Sequence, residues 1–130
     1  MNIPADLKFA KTDEWVKSDG KIAVVGISDY AQKQLSDVVF VEVVVSVGET
    51  AHKDTTCATI ESVKAAADVN LPISGKVIEV NEGLSTAPEL VNNDPYEKAW
   101  LLKVEMSDPS ELNSLMDSDM YRLYCKEREH

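Results

Sequence analysis

The sequence predicts a mainly β fold, a sandwich or barrel of short strands with a little helix, and three observations predict it. Stretches rich in β-branched and other apolar residues recur at 14–17, 21–25, 38–45, 56–61, 67–71, 76–80 and 100–105. All five glycines, Gly20, Gly26, Gly48, Gly75 and Gly83, fall where a turn is expected. Helical spacing is confined to two places, so the strands do not alternate with helices as βαβ units would require.

Each element has its own justification. A short helix over residues 30–35 can be capped by Ser28 or Asp29, whose side chains can accept from the unpaired amides of a first turn. At the carboxyl end Asp108 can cap, Pro109 suits the first helical position and Glu111 completes a capping box. Leu112, Leu115 and Met116 then follow at helical spacing, and Met120, Leu123 and Tyr124 repeat it after Ser118, a candidate cap. Both stripes are expected to pack on the sheet. Residues 126–130 read as a frayed end. Gly20-Lys21-Ile22-Ala23-Val24-Val25 is echoed by Gly75-Lys76-Val77-Ile78-Glu79-Val80, which would suit two similar half-sheets facing each other.

Size and charge narrow the function. A chain of 130 residues, 44% hydrophobic and 28% charged, is expected to form one domain, 1–130, with one core. Thirteen basic against 23 acidic residues give a net charge of −10, which disfavours nucleic acid and anionic lipid as partners. No apolar run is long enough to span a bilayer. The amino-terminal residues resemble neither a secretion signal nor a mitochondrial presequence, so a cytoplasmic location is expected. Cys57, Cys125, His52 and His130 show no metal-ligand spacing, and both cysteines are read as small buried residues, on a strand and a helix face. A Ser/Cys–His arrangement and a phosphate-cradling glycine loop are also lacking, which argues against a stand-alone enzyme and leaves no candidate catalytic residue.

One residue stands out. Ala58 and Ile60 before it, and Ala67, Val69 and Leu71 after it, flank Lys64 with alternating apolar positions, the pattern of a hairpin with an amine at its tip.

Glu61-Ser62-Val63-Lys64-Ala65, followed by Pro72-Ile73-Ser74-Gly75-Lys76-Val77, closely resembles the lipoate-attachment region of the glycine cleavage system H-protein family. The resemblance continues in Glu14-Trp15-Val16, in Val25-Gly26-Ile27-Ser28 with Ala31-Gln32 and Leu35, and in Asp37-Val38-Val39-Phe40-Val41. Asn81-Glu82-Gly83-Leu84, Pro88-Glu89-Leu90-Val91-Asn92, Trp100-Leu101 and Ser107-Asp108-Pro109-Ser110-Glu111-Leu112 complete it in family order. Biotinyl domains typically place Met on both sides of the lysine and dehydrogenase lipoyl domains typically read Asp-Lys-Ala; here Val63 and Ala65 occupy those places.

The resemblance implies a barrel-sandwich hybrid like other lipoyl and biotinyl carriers, with helices in the C-terminal extension 108–128. It implies lipoate joined to Lys64 and a carrier role: an aminomethyl group moves from a pyridoxal-phosphate glycine decarboxylase to a tetrahydrofolate-dependent aminomethyltransferase. Reducing equivalents pass to dihydrolipoyl dehydrogenase, and a lipoate ligase or lipoyl transferase loads the lysine. Glu61 and Asp68 are candidates for ligase or partner recognition, and Glu14, Asp68 and Thr12 for a cleft that receives the loaded arm. Trp15 is read as core. The alternatives are a relay protein that donates lipoate to 2-oxoacid dehydrogenases and an unmodified interaction module. The chain also departs from the family pattern. Asp13 replaces His, Ser36 and Ala99 replace Gly, Asn70-Leu71-Pro72 lacks a Tyr, and Val43-Val44-Val45-Ser46-Val47-Gly48 lacks a strand-ending proline. The last change is expected to lengthen an apolar strand that would invite pairing if it lay at an edge.

Overall fold

Two antiparallel sheets share one aliphatic core in the computed structural model, which describes residues 1–129. The larger sheet has the order β1 (Lys8–Phe9), β2 (Glu14–Asp19), β3 (Ile22–Ile27), β9 (Leu102–Met106), β8 (Gly75–Val80) and β5 (Thr50–Ala51). The smaller runs β4 (Val38–Val43), β6 (Thr56–Ser62), β7 (Ala66–Asn70). Strand periodicity decides the packing. Val25, Val77 and Val104 on one sheet and Val41, Ile60 and Val69 on the other point inward and are buried together. The expected sandwich is therefore present as two open sheets rather than a closed barrel. β1 and β5, too short to show a period, were not legible in the sequence.

A second, aromatic cluster lies at one end. Phe9, Trp15, Tyr30, Met116, Tyr121 and Cys125 are buried there with Ile3 and Leu7. The Phe9 and Tyr121 rings stack at 4.3 Å between centroids, and the Trp15 indole N–H donates to the Pro95 carbonyl at 3.0 Å. Trp15 is core, as expected.

Several expectations need correction. Gly26 and Gly75 are not turn residues: they lie within β3 and β8, where a Cβ would collide with the Trp15 ring and with the Glu105 carbonyl. The two Gly-Lys segments do not face each other, because β3 and β8 flank β9 in the same sheet. The strand at 38–45 is shorter than expected. Val44 N–H still bonds the Cys57 carbonyl, but Val45 turns inward and a turn from Ser46 to Glu49 stops the strand without proline. β4 does lie at a sheet edge, with Val39, Phe40, Val44 and Val47 exposed along it and beyond it.

Helix α1 (Asp29–Leu35) is capped by Ser28, whose Oγ accepts from Ala31 N–H. A single turn, α2 (Leu90–Asn93), follows β8. At the carboxyl end Asp108 caps as expected, but Pro109–Ser114 forms 3-10 rather than α turns. Glu111 does not close a capping box; its carboxylate accepts from the amide and hydroxyl of Ser74. Helix α3 (Ser118–Glu127) is capped by Asp117, one residue before the expected Ser118. Its buried face carries Tyr121 and Cys125, whereas Met120 and Leu123 are more than half exposed, so the expected stripe was rotated by one position. The end at 126–130 includes His130, which lies outside the described residues.

Candidate functional site

The β6–β7 hairpin is built from local interactions. Ile60 pairs with Ala67 and Glu61 with Ala66, leaving residues 62–65 to turn. Ser62 N–H donates to the Ala65 carbonyl at 2.7 Å, and Ser62 Oγ accepts from the amides of Lys64 at 3.3 Å and Ala65 at 3.1 Å. One hydroxyl thus satisfies amides that a tight turn would otherwise leave unpaired. Val63 N–H donates to the Asp37 carbonyl, which ties the turn to the start of β4. Lys64 stands exposed at the tip, as do Val63 and Ala65. Glu61 and Asp68 are exposed on the flanking strands, and among the described residues neither forms an ion pair with the lysine. Among the described residues the amine has no ion-pair partner, and its root is fixed by the turn.

Below the tip the same hairpin forms one wall of a cavity of about 180 Å³. Ile60, Ala67 and Asp68 line it from the hairpin, Thr12 from the turn before β2, Glu14 from the first residue of β2, and Gln34 from α1. Thr12, Glu14 and Asp68, distant in sequence, therefore meet around one space. Glu14 is 1% exposed; its carboxylate accepts from the Thr12 hydroxyl and, at 3.0 Å, from the Asn70 amide. Burial pushes its pKa up to about 7, against the lowering effect of those bonds, with the neighbouring Asp13 charge adding to the rise. Asp68 remains exposed. The cavity thus offers an acid poised near neutrality, an acidic residue open to solvent and an apolar lining, an arrangement that suits a cationic amine on an apolar tether.

Asp13 lines the cavity too, but its carboxylate is already engaged. It accepts from Tyr121 Oη at 2.8 Å and from both terminal nitrogens of Arg128, at 2.6 and 3.2 Å. Burial first, and then the Asp13 charge, push the Tyr121 hydroxyl far above its ordinary range, so it stays a donor. Cys57 is a buried strand residue as expected; burial pushes its thiol up to about 12, and no reactivity follows.

Residues 7–128 match the family model described as glycine cleavage H-protein. The chain belongs to the glycine cleavage H-protein family. A mitochondrial glycine cleavage system H protein 2 of Arabidopsis thaliana is 51% identical over 95% of this chain and 79% of its own length. Glycine cleavage system H proteins of Anaeromyxobacter sp. and Symbiobacterium thermophilum are 47% and 48% identical, over 99% and 97% of this chain and 100% and 98% of theirs. The crystal structure of a glycine cleavage system H protein from Mycobacterium marinum superposes with a TM-score of 0.84 at 30% identity, over 98% of this chain and 100% of that one. H proteins are the lipoyl carriers of the glycine cleavage system, and that is the function of this chain. Its β sandwich is the carrier scaffold of the family.

Sequence reasoning missed three parts of this site. The Asn70 amide is a backbone donor and leaves no mark on side-chain patterns. Gln34 sits in a helix whose exposed face carries no recognisable signature. Arg128 was assigned to a frayed end, and its pairing with a residue 115 positions away has no local signal.

Proposed function

We propose that Lys64 is the lipoyl-attachment residue and that the cavity at Glu14 receives the far end of the arm it carries. The single observation that supports this most is an exposed amine, without an ion-pair partner among the described residues, on a hydrogen-bonded turn whose flanking strands line a cavity that also holds Glu14. Asp68 stands four residues beyond Lys64, so it lies at most about 13 Å from the tip at roughly 3.3 Å per extended residue. A lysyl-lipoyl arm reaches a similar distance, about 12–14 Å by bond lengths. When bound, lipoate supplies a dithiolane that takes up the aminomethyl unit left by glycine decarboxylation and passes electrons on through its dithiol.

The chain's own residues do the rest. Ser62 holds the turn so that only the arm moves. Glu14 and Asp68 face an ammonium brought to the cavity, Thr12 orients the Glu14 carboxylate, and Ile60 and Ala67 keep water from the tether. Arrival of a cation favours the ionised form of Glu14, so the proton it holds near neutrality leaves as the ion pair forms. Glu61 and Asp68, exposed on either side of the lysine, serve ligase and partner recognition. In this reading the chain is a carrier with no catalytic residue of its own. Glycine decarboxylase, aminomethyltransferase, dihydrolipoyl dehydrogenase and a lipoate ligase or lipoyl transferase are its partners. Residues 1–130 act as one carrier domain in the cytoplasm, with 108–128 as its helical extension.

The test is intact mass. Protein expressed with lipoate and a ligase gains one lipoyl group, and Lys64→Arg abolishes the gain completely. A modification mapped to Lys53 or Lys76, or an unchanged mass for the wild type, overturns the assignment.

A further inference from the structure

Asp13 is the residue whose geometry the carrier role leaves unexplained. Its backbone sits at φ 79°, in the left-handed region that favours glycine. Its amide donates to the Ala10 carbonyl at 3.0 Å and its carbonyl accepts from Ser28 at 2.9 Å, so the turn before β2 is locked to the start of α1. Such a conformation persists where surrounding groups over-determine it. Here those groups come from the other end of the chain. Arg128 grips the Asp13 carboxylate as a two-pronged fork, and its guanidinium lies 4.2 Å from the centre of the Tyr30 ring and 4.0 Å from that of Tyr124. Tyr121 Oη bridges the Asp13 carboxylate and, at 2.6 Å, the buried Ser28 hydroxyl.

These contacts fall on two walls of the cavity. Thr12 and Glu14 flank Asp13 in sequence, and Ser28 and Tyr30 begin the helix whose later turn supplies Gln34. We propose that Arg128 and Tyr121 are positioning residues: the C-terminal helix is a brace that holds the 12–14 turn against α1 and so places the Glu14 carboxylate for the arm. This rests on the reading of the cavity as the arm's seat. Neither residue touches the cavity's contents; they act through Asp13. Arg128 is suited to the task because its planar fork fixes both the distance and the orientation of a carboxylate, which a lysine ammonium does not. The stacked tyrosines fix the fork in turn.

The reporter is the Asn70 amide, which donates to Glu14 from the opposite wall and is 58 residues from Arg128 in sequence. In the full-length, unlipoylated chain, Arg128→Gln is expected to speed hydrogen exchange at Asn70 about tenfold or more while the neighbouring amides of β6 and β7 keep wild-type rates. Arg128→Lys should fall between the two, and Tyr121→Phe, which keeps the ring stack on Phe9, should show the same selective loss. In the lipoylated, loaded chain, ammonia release should rise in Arg128→Gln by a factor similar to that seen in Glu14→Gln. Unchanged exchange at Asn70 in both Arg128→Gln and Tyr121→Phe overturns the brace. A uniform rise across β6 and β7 also overturns it, by showing only general loosening. Faster release in Glu14→Gln with wild-type release in Arg128→Gln rejects the brace and leaves the cavity reading standing. Wild-type release in both variants rejects the cavity reading itself.

Discussion

The Lys64 hairpin and the Glu14 cavity adjoin in space and are built in opposite ways. The hairpin is assembled from nine consecutive residues, 60–68, and its turn is held chiefly by bonds among Ser62, Lys64 and Ala65. The cavity draws on the turn at 12–14, on α1, on both hairpin strands and, through Asp13, on α3. One presents a charge to water; the other withholds a carboxyl from it. In the proposed reading, a group to be acylated by other enzymes needs access and a firm root, and local turn chemistry supplies both. A seat for a labile cationic cargo needs partial desolvation and an acid, and only long-range packing supplies those.

This division predicts that damage to the aromatic end reaches the cavity and spares the hairpin. The largest effect on stability should come from Tyr121→Ala. Removing this fully buried ring from its stack on Phe9 is expected to cost about 3–5 kcal/mol. Urea unfolding checks it, and a cost below about 1 kcal/mol would show that α3 is an appendage to the fold.

Next comes Glu14. Between the ordinary 4.5 and about 7, the folded chain keeps a proton that the unfolded chain has lost, so the contribution of Glu14 to stability falls as pH rises through that window. The loss amounts to about 3 kcal/mol when complete. Glu14→Gln removes it, so the mutant should gain on the wild type from pH 4 to pH 8 and stay level with it above. A stability difference that does not change with pH would remove the cavity's buried acid from the account, while the Lys64 turn would be unaffected.

The smallest effect concerns Ser36, where the family pattern has Gly. Ser36 ends α1 at φ 66° and ψ −149°, a conformation suited to glycine. Ser36→Gly should therefore stabilise the chain by about 1 kcal/mol, read as a rise in thermal midpoint. A fall would mean that the Ser36 side chain contributes more than its backbone strain costs.

The same contrast explains what the sequence disclosed. The hairpin was legible because alternation at 58, 60, 67, 69 and 71 and the residues around Lys64 are all local. Strand positions were legible wherever the period survived for four residues or more, and β1 and β5 were too short to show one. Of the two C-terminal stripes only the second was misread: Leu112 and Leu115 pack against the core and Met116 is buried even though Pro109–Ser114 winds as 3-10. Burial of Tyr121 in place of Met120 and Leu123 depends on the Phe9 ring that receives it, and nothing within α3 encodes that partner. Thr12, Glu14 and Asp68 were brought together in advance only through the family resemblance. Asp13 and Arg128 depart from or lie beyond the motifs that carry it, and their pairing emerged only with the fold.

The central claim is that the cavity, and Glu14 within it, shields the loaded arm without taking part in loading it. Ammonia release from isolated, loaded protein tests this most directly, comparing wild type with Glu14→Gln at pH 8 after equal lipoylation has been established by mass. Loss of a charged hydrogen-bond partner for a partly desolvated ammonium is worth about 1.5–3 kcal/mol, so the variant should release ammonia roughly 10- to 150-fold faster. Equal rates at equal lipoylation would contradict the account and reduce Glu14 to a buried acid with no cargo to hold.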